Sequence, residues 1–555
     1  MRKFLVTSFL NPAIRTMGAA ALLATCLSAQ EPEKPPAPPA PPAAPSQPAP
    51  PPAAAVPQTV PAAPPAPMTR GAFPASRIRE EVMGEVSAGS EVGIARSSGD
   101  HLAWVEKNGG KQSVRIDGKQ SGGVYDEVKY LRFSESQQHV AFVAKRRSKW
   151  VLVLDGQERS QEYGRLTAPV LSPSGLHFAA GACQGKRCRP IVDGEEVGPE
   201  FEDISFVQFS KDGEHYAFLG KRKGKWVLAL DGKELGPEMN DFESWGFHRG
   251  GEHVAVAARL GKDWTWVVDG APGPGLDVLS LLDYSADGKH FVYGGTDANW
   301  GFKKQSTKGV IVVDGQIKER YEGKGFGGGW KGMFGVQEQI RTGVSNLSPD
   351  FHGVSDPQYS SDGKLIYAGR RGTGDVAVYV DGVAGPGFED IVSPIAITEE
   401  ARDIAYIGKR GDFFVEVRNQ QPGASFPGKR EVSYVESILL SSDGKHLAYQ
   451  IVRGGSQFKA GQTRRALRRV VLDGRAGVEY DALNIASLRF SPGKDHFAYE
   501  VEGAQKDRDM VVCDGLEGKL YDNLFIGSLK FLDDQTLEFV ARDGRRFLRV
   551  TQTLE

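Results

Sequence analysis

The chain has 555 residues, with 68 Lys and Arg against 70 Asp and Glu, so its formal net charge at pH 7 is −2. This balance argues against a protein that coats nucleic acid, although a local basic face is compatible with it. Four cysteines exclude a disulfide-dense scaffold, and no apolar run reaches the roughly 18 residues of a membrane-spanning helix.

Residues 1–30 predict a signal for export. Met17–Ala29 is an apolar core of 13 residues after a basic start, which suits a signal peptide and is too short to cross a bilayer. Leu23–Cys26 resembles a bacterial lipobox, although Thr25 replaces the usual small residue. Lipidation at Cys26 and ordinary cleavage within residues 26–30 are both open. We expect a periplasmic, outer-membrane-anchored or extracellular protein, which contacts a membrane only through such an anchor.

Residues 31–70 predict a tether. Pro and Ala make up 28 of the 37 residues from Glu31 to Pro67, and such a segment buries too little apolar surface to fold. Proline favours extended polyproline II, so the segment suits a spacer between an anchor and a folded body. A disordered leader without an anchor is the alternative.

The remaining chain repeats one motif. Each repeat predicts four short strands, as in Val128–Phe133, His139–Ala144, Lys149–Leu154 and a shorter strand that ends near Tyr163. Asp-Gly is a strong signal for a tight hairpin, and four antiparallel strands per repeat indicate a propeller blade. The Asp-Gly pairs that close β-branched runs recur 38 residues apart at Asp117, Asp155, Asp193, Asp231 and Asp269, and continue at Asp314, Asp381, Asp473 and Asp514.

The segment Phe209–Phe218 reads Phe-Ser-Lys-Asp-Gly-Glu-His-Tyr-Ala-Phe. This pattern resembles the WD-like repeat of TolB-type and dipeptidyl-peptidase-type propellers, and the resemblance covers about residues 88–555. It implies an all-β propeller of the exported bacterial type but no particular activity. No hydrolase domain follows the repeats, and the Trp-Asp pair of true WD repeats is missing.

Counting the first strands gives eleven repeats. The last repeat lacks its fourth strand, which Ser76–Val86 can supply. Typical propellers have four to eight blades. We therefore expect two propellers, with repeats 1–6 in residues 71–321 and repeats 7–11 in residues 354–555. A Gly- and aromatic-rich insertion or linker, residues 322–353, would separate them. One large ring is the alternative.

The candidate chemical residues mostly belong to the repeat. Eight histidines hold one repeat position, and equivalent positions on neighbouring blades are about 10 Å apart, too far for shared metal ligation. No catalytic motif is present, so we predict no catalytic residue, metal site or cofactor. Cys183 and Cys188 flank a hairpin loop and form either a disulfide or two free thiols, whereas Cys513 is predicted to be a buried thiol. The histidines are His101, His139, His177, His215, His253, His290, His446 and His496.

Binding is predicted on one face, where the loops between second and third strands meet the links between blades. Three insertions expand this insertion-bearing face: Tyr293–Lys308, Glu322–Gly353 and Val452–Leu467. Loops on a rigid scaffold commonly carry binding. Short basic loops on the same face indicate either an anionic partner or ordinary solvated residues, and the aromatic insertions could instead cover their own blade. The candidate binding residues are Trp300, Phe302, Lys303, Lys304, Phe326, Trp330, Phe334, Arg464 and Arg465.

Two functions follow from this pattern. The first is an exported, non-enzymatic propeller that binds a protein or cell-envelope component through the insertion-bearing face. This partner could be anionic, and we expect no specific nucleic acid as partner. The second is a carbohydrate-active or other hydrolytic or lyase propeller enzyme, or a binder of anionic polysaccharide.

Overall fold

The computed structural model describes residues 68, 71–205, 207–248, 251, 253–298, 307–322, 357–370, 375–398, 403–427, 434–453, 466–482, 484–505, 508–525 and 527–554. The chain divides into two compact units. One unit comprises residues 61–330 and 345–555 and holds every described residue. The other, residues 1–60 with 331–344, lies outside the described residues. No described segment forms a helix long and apolar enough to cross a membrane.

The described chain is built almost wholly of antiparallel strands that form eleven separate small sheets, the blades. Ahead of the first blade are β1 (Gly71–Ala72), a 3₁₀ turn (Ala75–Arg77) and β2 (Ile78–Glu85). Blades 1–6 contain β3 (Glu91–Ser98), β4 (His101–Asn108), β5 (Lys111–Ile116) and β6 (Lys119–Tyr125); β7 (Glu127–Phe133), β8 (Val140–Arg146), β9 (Lys149–Leu154) and β10 (Gln157–Glu158); β11 (Arg165–Leu166), β12 (Val170–Leu171), β13 (Phe178–Gln184), β14 (Arg187–Val192) and β15 (Glu195–Glu196); β16 (Asp203–Ile204), β17 (Gln208–Phe209), β18 (Tyr216–Arg222), β19 (Lys225–Leu230) and β20 (Lys233–Met239); β21 (Asp241–Phe247), β22 (Val254–Leu260), β23 (Asp263–Val268) and β24 (Ala271–Pro272); β25 (Val278–Tyr284), β26 (Phe291–Ala298), β27 (Thr307–Val313) and β28 (Gln316–Glu322).

Blades 7–11 repeat the same order outward from the first strand. They contain β29 (Gln358–Tyr359), β30 (Leu365–Arg370), β31 (Val376–Val380) and β32 (Val383–Ala384); β33 (Asp390–Ile391), β34 (Ala396–Ile397), β35 (Ile404–Arg410), β36 (Phe413–Arg418) and β37 (Gln421–Pro427); β38 (Tyr434–Leu440), β39 (Leu447–Arg453), β40 (Ala466–Leu472), β41 (Arg475–Ala476) and β42 (Tyr480–Ala482); β43 (Asn484–Phe490), β44 (Phe497–Gln505), β45 (Arg508–Cys513) and β46 (Leu516–Glu517); β47 (Asn523–Leu524), β48 (Lys530–Phe531), β49 (Thr536–Asp543) and β50 (Arg546–Thr553).

The Asp-Gly pairs form the predicted hairpin turns. In blade 4, Asp231 and Gly232 both have positive φ, 49° and 76°, as the preferred two-residue hairpin requires. The Asp231 carboxylate also accepts the Tyr216 backbone N–H at 3.0 Å and lies 2.7 Å from Nδ1 of His215. The aspartate therefore joins the end of the third strand to the start of the second, which explains why Asp, Gly and His recur together.

The blades close into one ring of eleven. Each pair of neighbouring blades shares an apolar core, and there are eleven such cores, including one in which Phe547 of blade 11 packs on Trp104 of blade 1. An open row of eleven blades would have only ten interfaces. The all-β prediction of about eleven repeats is confirmed, and the single ring is the correct one of the two arrangements.

The expected seam between two propellers is wrong, because blades 6 and 7 pack on each other. Val292 and Ile311 of blade 6 share a core with Tyr367 and Tyr379 of blade 7. The Tyr367 hydroxyl also lies 3.1 Å from a carboxylate oxygen of Glu319 in blade 6. The usual number of four to eight blades per propeller suggested a division into two propellers. These contacts show instead that the ring continues from blade 6 to blade 7.

The ring closes through the segment ahead of blade 1. β2 pairs with β50 from Ile78↔Gln552 to Glu85↔Arg546 and supplies the outermost strand of blade 11. β1 adds a parallel fifth strand beside β46 of blade 10. The predicted closing strand, Ser76–Val86, is therefore confirmed, because β2 and the last described strand, β50, share one sheet.

Candidate functional site

Two insertions of the insertion-bearing face start at the same edge of blade 6. The loop between β26 and β27 leaves from Ala298 and returns at Thr307, which are paired in the sheet. The link to blade 7 leaves from Glu322, whose pairing partner is Lys308. The stems of these two insertions therefore lie side by side in one sheet.

The third insertion arises from blade 9, where ion pairs fix both of its stems. Arg453, the last residue of β39, binds Glu479 at 2.5 Å, and Arg469 lies 3.9 Å from the same carboxylate. Arg468 pairs with Glu436 of the innermost strand, which also accepts the Gln450 amide at 2.7 Å. The inserted loop thus has a rigid base.

Three arginines of the short basic loops on this face have partners within the ring. Arg146 binds Glu158 at 2.9 Å, and Arg222 binds Glu234 through two contacts of 2.6 and 2.9 Å. Arg410 lies over the Phe388 ring at 5.1 Å. These arginines have intramolecular partners, which favours the interpretation as ordinary solvated residues over a continuous anion-binding face.

The candidate binding residues themselves are not among those the structure describes. This applies to Cys26 and to the whole predicted set, which therefore stays a prediction: Trp300, Phe302, Lys303, Lys304, Phe326, Trp330, Phe334, Arg464 and Arg465.

The repeated histidines have a structural partner in every case. In each of the eight, Nδ1 lies 2.6–2.8 Å from a carboxylate oxygen of the hairpin aspartate in the same blade. His248 differs, because it occupies the place that serine holds in the Ser-x-Asp-Gly turns. Burial and the neighbouring His253 lower the pKa of His248 to about 4, and its ring lies 4.9 Å from that of Tyr284.

Cys183 and Cys188 are directly opposite in the β13–β14 hairpin, and their sulfur atoms are bonded. Together with Asp203 they form a group of three potential metal ligands. The bonded sulfurs cannot act as thiolate ligands, and Arg165 already binds Asp203 at 2.5 Å. Cys513 is buried in β45, where desolvation raises the pKa of its thiol.

One cavity contains an acidic pair that could suggest catalysis. It measures about 410 Å³ and is lined in part by Glu416, Arg418 and Asp473. Glu416 accepts the Tyr449 hydroxyl at 2.9 Å, while Asp473 binds Arg418 and His446 at 2.9 and 2.7 Å. Both carboxylates are therefore engaged in contacts that join blades 8 and 9.

The sequence interpretation missed a buried carboxyl in blade 10. Most second strands carry an aromatic residue near their middle, which is Tyr499 in blade 10. Glu500 follows it, at the position that Leu219 holds in blade 4 and Val143 in blade 2. It is 3% exposed, and its carboxylate accepts the Ser487 hydroxyl at 2.7 Å. Burial raises the pKa of Glu500 to about 7. Alignment of the repeats carries this signal, since a glutamate replaces an apolar residue.

Comparisons with known proteins give no family. No protein-family model and no curated protein matches the sequence. A crystal structure of a eukaryotic initiation factor is similar with a TM-score of 0.34 and 10% identity, over 70% of this chain and 96% of that one. The β-propeller domain of the Trilobed protease from Pyrococcus furiosus, described as having an open velcro topology, is similar with a TM-score of 0.24 and 13% identity, over 71% and 98%. The Dos1 propeller has a TM-score of 0.26 and 10% identity, over 59% and 89%.

Proposed function

We propose that this protein is an exported, non-enzymatic scaffold that binds a protein or cell-envelope component through the insertion-bearing face. The proposal depends mainly on the backbone pairing of β27 with β28, in which Lys308 lies opposite Glu322. This pairing brings the stems of two aromatic-rich insertions together on a rigid blade. Aromatic residues dominate the energetics of protein interfaces. The ion-paired stems of the blade 9 insertion give that face a second anchored loop base.

Cross-linking in the native envelope, followed by mass spectrometry, tests this function. Two double variants, W300A/F302A and F326A/W330A, should lose the cross-linked partner while keeping the thermal melting temperature of the parent. The matched control is L176A/L532A, because these exposed leucines (71% and 50%) lie at turns on the opposite edge of the blades.

A partner that survives both double variants would refute the proposed site. A large loss of stability in either variant would show instead that the insertion covers its own blade. Export is tested separately by the mass of the mature N-terminus, which should begin within residues 26–31.

A further inference from the structure

A repeated position on the innermost strands carries a run of positive charge. The position is the first-strand residue that pairs with the second residue after the repeated histidine position, which in most blades stands just before an aromatic. In four blades it is basic: Arg489↔Ala498 in blade 10, Lys530↔Glu538 in blade 11, Arg96↔Ala103 in blade 1 and Arg132↔Ala141 in blade 2. These blades are consecutive, because blade 11 packs on blade 1. We call these four residues the basic arc.

The other seven blades have no cation at this position. Their residues are Val170, Gln208, Gly246, Asp283, Gln358, Ala396 and Leu439. The charge is therefore a property of one sector of the ring and not of the repeat, which separates it from the histidines and turn aspartates.

Side chains at this position reach toward the next blade. Gln208 donates its amide to the backbone carbonyl of Trp245 in blade 5 at 3.1 Å, and Gln358 donates to Ile395 in blade 8 at 3.0 Å. Asp283 accepts the Tyr359 N–H of blade 7 at 2.7 Å. The same direction brings Arg96 toward Arg132, so the members of the basic arc follow each other along the inner side of the ring.

The two arginines at the end of the arc have no carboxylate partner among the described residues. All four arc side chains are exposed, and Arg96 donates only to the neighbouring backbone carbonyl of Ala95 at 2.9 Å. Desolvation by the surrounding protein and the charge of Arg96 lower the pKa of Arg132. An accessible but partly desolvated guanidinium beside a like charge is stabilised when an anion binds.

Two carboxyl groups face the other half of the arc. Glu538 binds Lys530 at 3.1 Å and lies 3.9 Å from Arg549, which is bound more closely by Asp100 at 3.1 Å. Glu500 lies near Arg489, but burial keeps much of it protonated near neutral pH. The unpaired positive charge of the arc therefore lies mainly at Arg96 and Arg132, which have no carboxylate partner among the described residues.

We propose that the basic arc binds an acidic polysaccharide along the inner side of blades 10, 11, 1 and 2. Neighbouring blades present one cation each about 10 Å apart, which is roughly the length of a disaccharide, so alternate sugars of a uronate polymer can each meet a cation. Acidic side chains on one side of an extended peptide recur at about 7 Å. Single-stranded nucleic acid needs free aromatic rings for stacking, whereas the rings that follow three arc residues, Phe133, Phe490 and Phe531, pack into the blade cores.

This site is independent of the proposed function, because the arc lies near the turns between first and second strands, at the edge opposite the insertions. The test is calorimetric titration of the full mature chain with polygalacturonate and heparin. Neutral dextran, poly-glutamate and an oligo-dT strand serve as comparison ligands. The variant is R96A/R132A, and the matched control is R159A/R475A, which removes two exposed arginines near outermost strands.

The parent should bind both acidic polysaccharides, with a dissociation constant that rises with salt. R96A/R132A should weaken binding by about tenfold or more, since it removes two charge-assisted contacts. It should also lower the salt slope by about two, while R159A/R475A changes neither quantity. Equal losses in both variants, no binding by the parent, or arc-dependent binding of poly-glutamate or oligo-dT alone would overturn the proposal.

A second measurement uses the unmodified protein and does not depend on how the variants fold. Phenylglyoxal labels accessible arginines, and polygalacturonate should protect Arg96 and Arg132 but not Arg159 and Arg475. Equal labelling of all four with and without polymer would overturn the assignment.

Discussion

Replacement of Glu500 by glutamine should stabilise the ring at alkaline pH and leave its stability unchanged in acid. The carboxyl group is 3% exposed and accepts a hydrogen bond from Ser487, and Arg489 offers it a positive charge. Burial outweighs both and raises its pKa from 4.5 to about 7. The folded ring therefore holds this proton more tightly than the unfolded chain does.

The magnitude follows from the two pKa values. Below pH 4.5 the group is protonated in both states and contributes no pH dependence. Between pH 4.5 and 7 the unfolded chain loses the proton first, so stability falls as pH rises. Above pH 7 the accumulated cost reaches about 3 kcal/mol, at 1.36 kcal/mol for each pH unit. Glutamine has a similar shape and no charge, so E500Q should escape this cost.

Urea unfolding at pH 4.5 and pH 8.5 measures the effect. The difference in unfolding free energy between E500Q and the parent should be near zero at the lower pH and up to about 3 kcal/mol at the higher. Glu195→Gln, on the exposed outer strand of blade 3, is the control and should show no such difference. If E500Q gains nothing at pH 8.5, the reasoning on burial is refuted.

The turn in blade 4 predicts that Gly232→Val lowers the free energy of unfolding by about 1–2 kcal/mol, because a side chain is strained at positive φ. Lys233→Val, at the exposed neighbouring position, should have little effect. An unchanged urea midpoint for Gly232→Val would contradict the turn geometry. Cys183 and Cys188 should resist alkylation in the denatured mature protein until a reductant is added, whereas immediate labelling would show free thiols. His248→Ser should reduce acid sensitivity: the lowered pKa of the imidazole means that stability is lost as pH falls from 6.5 toward 4, so a parent and variant with the same change in urea midpoint between pH 7 and 5 would rule this out.

The repeat specified each blade but not the ring. The Asp-Gly hairpins and the paired histidines were predictable because they act within one repeat, as Asp231 shows by binding His215 and Tyr216 at the start of the second strand of its own blade. The number of blades per ring depends on how neighbouring sheets pack, which the pattern inside a repeat does not state. The contact of Tyr367 with Glu319 exists only between blades.

The candidate site was also predictable only in part. The stems of the insertions follow from the strand order, and the sequence placed them on one face. The repeat pattern does not predict the basic arc or Glu500, because these residues are exceptions at positions that the repeats share. An alignment of Arg96, Arg132, Arg489 and Lys530 by their distance from the conserved aromatic would have shown the charge. That these four residues lie on consecutive blades, however, follows only from the contact between blades 11 and 1.

The pairing of β2 with β50 also sets a timing problem for biosynthesis. Ile78 pairs with Gln552, 474 positions later, so this edge stays open until the whole chain has been synthesised or, in an exported chain, translocated. During that interval β2 is an unpaired edge that could join a neighbouring chain. Its sequence, Ile-Arg-Glu-Glu-Val-Met-Gly-Glu, carries three glutamates and one arginine, and such charge keeps a waiting strand solvated and discourages pairing between copies.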